Sequence, residues 1–160
     1  EGYGPGGAAV LVESLTDNKN RTVADIRRIF GKNGGSLGEN GCVAWMFDKK
    51  GYIVVESQAV DEDALMEVAL EAGAEDIRED DGNFEVISSP GDFEGVKDAI
   101  EKASIPYVVA EVTMLPQNTT SLAGKEAEQM VRLVDLLEDC DDVQKVYNNA
   151  DIPEEVLNSV

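Results

Sequence analysis

The sequence predicts a mixed α+β protein: a ferredoxin-like βαββαβ domain inserted into a discontinuous βαβ…αβ domain. Three observations predict it. Short apolar runs alternate with stretches of helical period along the 160 residues. From Tyr52 onward the order reads strand, helix, strand, strand, helix, strand, with Asp80-Asp81-Gly82 as a tight-turn signal between the middle strands. The outer pieces, 1–48 and 117–160, read β-α-β and α-β and are assigned to one discontinuous domain around an insertion at 49–116. A plain tandem of two halves is the alternative.

Ala8 to Leu15 is a mostly apolar run after a glycine-rich opening and reads as a buried strand. A helix follows from about Thr22 to Lys32. Thr22 is placed to cap it, with Asp25 in the capping-box position. Val23, Ile26 and Phe30 form its apolar face, and Gly34-Gly35 ends it. Cys42 to Phe47 reads as a strand, Asp48 to Gly51 as a turn, and Tyr52 to Glu56 as the next strand.

Within the insertion, a helix at Asp61 to Ala72 buries Leu65, Val68, Ala69 and Ala72 and stops at Gly73. Strands follow at 75–79 and 83–88. Ser89-Pro90 opens a helix with Phe93, Val96, Ile100 and Ala103 facing inward, and Tyr107 to Met114 is the last strand. Beyond Pro116, Gln117 to Ser121 reads as a polar linker. A helix then places Ala123, Ala127, Met130, Val134 and Leu137 at four- and three-residue steps. Val143 to Asn148 is a strand, and Pro153 to Leu157 a short terminal helix.

Composition narrows the chemistry. There is no histidine, which removes Ser-His and Cys-His nucleophilic pairs, His-ligated zinc and the usual general base. Cys42 and Cys140 lie far apart and form no CxxC pair, so they are expected to be free thiols in a reducing cytoplasm. No apolar run approaches the length of about 18 residues that a membrane helix needs. Neither a catalytic group nor a metal, cofactor, membrane or small-molecule substrate is expected.

Two motifs match by letter and fail by context. Gly2-x-Gly4-x-x-Gly7 copies the dinucleotide fingerprint, but it precedes a strand instead of linking a strand to a helix. The acidic clusters at 61–63, 79–81 and 139–142 lack calcium-loop spacing and read as solvated carboxylates.

The net charge of −20 hides a division. Residues 1–50 hold 7 of the 13 cations against 6 acids, whereas residues 51–116 hold 3 cations against 17 acids. At about 100° per residue, Arg21, Arg28 and Lys32 form a stripe opposite the apolar face of the first helix, with Arg27 on one flank. Lys19, Lys49 and Lys50 lie nearby in sequence. These seven cations are the candidate nucleic-acid contacts. Backbone or amide donors from Gly4, Gly6, Gly7, Asn18 and Asn20 are the candidate loop contacts. The competing view is an ordinary solvated helix face.

At these residues a resemblance becomes specific. Glu1-Gly2-Tyr3-Gly4-Pro5-Gly6-Gly7 and Asp17-Asn18-Lys19-Asn20-Arg21-Thr22-Val23 closely resemble the hallmark run of YebC proteins. Gly34-Gly35-Ser36-Leu37-Gly38, Gly41-Cys42-Val43 and Phe47-Asp48-Lys49-Lys50-Gly51 continue it. The stretches 69–76 and 136–144 are similar to the family too, so the resemblance covers essentially the whole chain. It implies a basic helical N-terminal domain ahead of these residues, absent from this chain. It also implies kinship with the mitochondrial translational activator of cytochrome c oxidase.

The family carries two functional descriptions, and the resemblance implies both. The leading expectation is a non-enzymatic translation factor that binds the ribosome through rRNA or tRNA and assists peptide-bond formation on difficult sequences such as polyproline. The alternative is a regulator of transcription that binds promoter DNA, and a third is an acidic protein-interaction module. No helix-turn-helix, zinc finger or basic zipper is evident, which favours folded RNA over duplex DNA.

Overall fold

The computed structural model describes residues 1–80 and 82–159, and the chain divides into two compact units. The first joins Glu1–Asp48 to Pro116–Val160; the second is Lys49–Leu115. Asp81, part of the expected turn, lies outside the described residues.

The first unit contains β1 (Gly2–Tyr3), β2 (Ala9–Ser14), α1 (Lys19–Lys32) and β3 (Ser36–Leu37) from the leading segment. Strand β4 (Phe47–Glu56) then carries the chain into the second unit, which adds α2 (Glu62–Glu71), β5 (Asp76–Asp80), β6 (Asn83–Ser88) and α3 (Phe93–Lys102). Strand β7 (Val109–Pro116) returns it. The trailing segment supplies β8 (Thr120–Ser121), α4 (Gly124–Glu138), β9 (Val143–Asn148), β10 (Ala150–Asp151) and α5 (Glu154–Ser159).

In the first unit the sheet order is β3-β1-β2-β9, and β2 pairs antiparallel with both β1 and β9. Its strands thus come from the two ends of the sequence. Helices α1 and α4 pack against each other, and Val10, Phe30, Met130, Leu133 and Leu137 are fully buried in one core. Each such side chain contributes roughly 1.5–3 kcal/mol by leaving water. Leu133 and Leu122 join this core, whereas the expected Ala123 is exposed and Val134 only half-buried. Ala123 is the N-cap of α4, in extended backbone, so it leaves the helical stripe.

The second unit is a four-stranded sheet in the order β5-β6-β4-β7, with β6 antiparallel to both its neighbours. That is the ferredoxin-like arrangement. Leu65, Ala69, Phe93, Val96 and Ile100 from α2 and α3 pack with Ile53, Val55, Phe84 and Val86 from the sheet. Ala103, expected to face inward, follows the end of α3 and is exposed.

Three local expectations are corrected. Asp48 to Gly51 is not a turn but part of β4, with Gly51 opposite Ser88. Glycine is needed there for close approach: a Cβ would sit 2.8 Å from Phe93 Cβ and meet the Ser88 hydroxyl. Cys42 to Phe47 is mostly not a strand, because Ala44–Met46 turn through a 3-10 helix that leaves Trp45 in solvent. Gln117 to Ser121 is not wholly a linker, since β8 pairs parallel with β10. Cys42 and Cys140 are both free and half-buried.

The buried Asn149 closes the first unit. Its side-chain Oδ1 accepts the Ala9 N–H at 2.7 Å, and its own N–H donates to the Ala9 carbonyl at 3.1 Å. Changing Asn149 to Ala leaves the Ala9 N–H without its acceptor, and urea denaturation should show a loss of about 1–3 kcal/mol. A loss below a few tenths of a kcal/mol would show that the residue closes nothing.

Candidate nucleic-acid interface

Helix α1 begins four residues earlier than its capping pattern indicated. Asn18, not Thr22, is the N-cap, and its side chain accepts the Arg21 N–H at 3.2 Å. Thr22 is instead buried inside the first turn, where its hydroxyl donates to Asp142 Oδ2 at 2.7 Å. The same Asp142 oxygen receives the Arg21 guanidinium at 3.1 Å. One carboxylate from the α4–β9 loop therefore fixes the start of α1. The Thr22 hydroxyl first, and then the Arg21 guanidinium, hold the Asp142 carboxyl below the usual carboxylate range.

This latch changes the reading of the outward stripe. Arg21 also reaches Asp17 at 3.3 Å, and Arg28 pairs with Asp25 at 3.0 Å. Both arginines are thus partly neutralised. These ion pairs are exposed, so each contributes little to stability and yields readily to a competing anion. Lys32, in the last turn of α1, has no ion pair among the described residues. Lys49 and Lys50 belong to β4 in the second unit, where Lys50 Nζ meets Glu75 at 2.8 Å.

Lys19 and Arg27 have a different setting. Both line a cleft of ≈ 470 Å³ in the first unit, and neither has an ion pair among the described residues. Val23 and Ile26 from α1, Val12 and Ser14 from β2, and Gly38 and Asn40 from the loop after β3 complete much of its wall. Lys19, Val23 and Arg27 recur every four residues, which puts them on one helix side. That spacing was the available signal, and the outward stripe obscured it.

Two acids, Glu1 and Glu39, also border the cleft. Glu1 is already engaged: its carboxylate accepts the N–H groups of Gly41 at 2.5 Å, Ala44 at 2.7 Å and Val43 at 3.1 Å. Burial pushes its carboxyl up, but these three donors outweigh burial and hold it below its ordinary value.

The glycine loop performs a packing task. A Cβ on Gly4 would sit 2.7 Å from Met130 Sδ, so glycine lets the loop lie against α4. The Gly4 N–H donates to Ala8 and the Gly7 N–H to Gly4. Those two backbone donors are therefore not presented to a ligand. Gly6 holds φ +69°, which favours glycine. Asn18 is engaged as the cap, while the Asn20 side chain is exposed and makes no hydrogen bond among the described residues.

No group of three His, Cys, Asp or Glu that could hold a metal occurs among the described residues. No helix among them is long and apolar enough to cross a membrane. Fold and site together define a two-unit α+β protein in which two α1 cations without an ion pair among the described residues, Lys19 and Arg27, line one cleft of the first unit. Residues 1–150 match the family model described as the second and third domain of TACO1/YebC proteins. A "Probable transcriptional regulatory protein" of Desulfatibacillum aliphaticivorans is 68% identical over 157 residues, covering 98% of this chain and 64% of the relative. A protein of Desulforapulum autotrophicum named in the same way is 62% identical, covering 100% of this chain and 65% of the relative. The crystal structure of a conserved hypothetical protein from Aquifex aeolicus superposes with a TM-score of 0.79 at 41% identity, covering 98% of this chain and 65% of that one. The chain belongs to the TACO1/YebC family and spans just under two thirds of the length of these relatives.

Changing Asp142 to Asn should lower the unfolding midpoint of the protein at pH 7, because the Arg21 and Thr22 partners lose their charge-assisted acceptor. The sign of the pH effect follows from the depressed carboxyl. Its stabilisation is present above the unfolded value of about 3.9 and is lost as pH falls through the lower folded value. Urea midpoints measured between about pH 2 and 7 should therefore fall less steeply in acid for the variant than for the wild type. Parallel curves would remove Asp142 from the latch.

Proposed function

We propose that this chain is the nucleic-acid-binding part of a non-enzymatic cytoplasmic regulator, and that it holds the phosphate backbone of ribosomal RNA or tRNA in the cleft bounded by Lys19 and Arg27. The observation that carries the reading is the split among the α1 cations. Arg21 and Arg28 are paired with acids, whereas Lys19 and Arg27 converge unpaired on a single cleft. Lys32 extends the contact at the helix end, and Arg21 and Arg28 join it when phosphate displaces their acid partners. Asn20, exposed on the same helix, supplies an outlying contact. The role in translation is the assistance of peptide-bond formation on difficult sequences such as polyproline.

A second reading, binding to promoter DNA, draws support from the name the curated relatives carry. A helix that enters a major groove presents unpaired Arg, Asn or Gln side chains along its outer face. The outer face of α1 instead carries Asp25 bonded to Arg28, and its Arg21 is bonded to Asp142 of the α4–β9 loop. That arrangement suits backbone contact with a folded or unpaired strand better than base reading in a duplex.

The test is cosedimentation of the full-length protein with ribosomes beside a promoter-DNA mobility shift at equal salt. The double variant Lys19→Glu, Arg27→Glu should weaken ribosome binding and make its salt slope shallower by roughly one unit for each phosphate no longer neutralised. Reversing Glu67 and Glu71 in the second unit to Lys should not weaken it. Wild-type ribosome binding by the double variant would overturn the cleft assignment. Promoter binding that depends on the same residues, without ribosome binding, would establish the second reading.

A further inference from the structure

Trp45 is the sole tryptophan of the chain, and it is 65% exposed. It is nevertheless held in place. Its indole N–H donates to the Cys42 carbonyl at 3.1 Å, which satisfies the ring's single polar atom within the protein. Tyr3, 37% exposed, directs its hydroxyl to the same carbonyl at 3.5 Å. Two exposed aromatic side chains thus converge on one backbone oxygen.

The backbone beneath them is fixed from both sides. The Glu1 carboxylate receives three N–H groups from the 41–44 loop. Gln117 donates its side-chain N–H to the Trp45 carbonyl at 3.1 Å and its backbone N–H to the Met46 carbonyl at 2.9 Å. Glu1 also lines the cleft that holds Lys19 and Arg27, so one carboxylate links the loop that carries Trp45 to that cleft.

We propose that Tyr3 and Trp45 form a stacking platform for an unpaired RNA base whose phosphate lies in the cleft. The proposal rests on the nucleic-acid reading and deepens it by naming the form of RNA selected. In a duplex the faces of the bases are stacked on one another and closed to a protein ring. An unpaired strand offers them. A pinned ring orders little on binding, and every base has a face to stack, so the site discriminates strandedness more than sequence. The neighbouring cations supply the charge complement for the phosphate, while the base itself is neutral and is not repelled by the acids nearby.

The sole indole reports on its own occupancy. The 160-residue chain is titrated with oligouridine of about ten nucleotides, and separately with an RNA duplex of equal length, while Trp45 fluorescence is followed. The single strand should quench the emission and the duplex should not. Trp45→Ala, with an unchanged far-ultraviolet circular dichroism spectrum, should weaken single-strand binding about tenfold or more with no change in salt slope. Trp45→Phe should stay within about threefold, because a smaller ring still stacks. The Lys19→Glu, Arg27→Glu variant separates the two proposals. It should lose affinity and salt slope, yet its residual complex at low salt should still quench. Wild-type affinity in Trp45→Ala, or equal quenching by the duplex, would overturn the platform. Quenching by a protein partner with none by RNA would overturn it as well.

Discussion

The first unit depends on one long-range pairing. Strand β2 near the start of the chain lies beside β9, more than 130 residues later, and Asn149 locks the junction through its two bonds to Ala9. Helix α1 packs against α4, and the Asp142 latch in the loop before β9 fixes its first turn. The intervening second unit is a tolerable interruption. The entropy of closing a loop rises only as the logarithm of its length, about 0.6 kcal/mol per doubling. A prefolded insertion reduces even that, because it fixes the separation of its own ends.

Charge is arranged around this framework with a consistent sense. The second unit carries most of the acidic excess, so it repels phosphate over its own surface. Within the first unit the cations divide their labour. Arg21 and Arg28 bind neighbouring acids and help hold α1, whereas Lys19 and Arg27 remain available at the cleft. Glu1, acidic and beside the same cleft, is directed into backbone N–H groups. The cleft thus carries two cations, Lys19 and Arg27, beside two acids, Glu1 and Glu39, and only the Glu1 carboxylate is engaged by backbone donors.

The fold class was legible because its signals are local and periodic. Phe93, Val96 and Ile100 declare α3 by spacing, and the runs at 75–79 and 83–88 declare β5 and β6. The misreadings share another cause, namely residues whose local preference is overridden from far away. Asp48-Lys49-Lys50-Gly51 has turn composition, yet β6 pairs with its end and Phe93 requires the glycine. Thr22 has the composition of a cap, yet Asp142, 120 residues on, claims its hydroxyl. The site was half legible for the same reason. The cation cluster was visible as composition, but which cations stay unpaired depends on Asp17, Asp25 and Asp142 finding their partners. Trp45 gave no periodic signal at all, since it lies in an irregular loop held by Glu1 and Gln117.

The central claim is that nucleic acid is received on one face of the first unit, at the cleft between α1 and the loop after β3. Its most direct measurement is a set of backbone amide NMR spectra of the chain, recorded while an unpaired RNA is added. The account predicts shifts concentrated at residues 19–27 and 38–46, with amides of α2 and α3 unmoved. Shifts centred on 62–102, or spread evenly over both units, would contradict it.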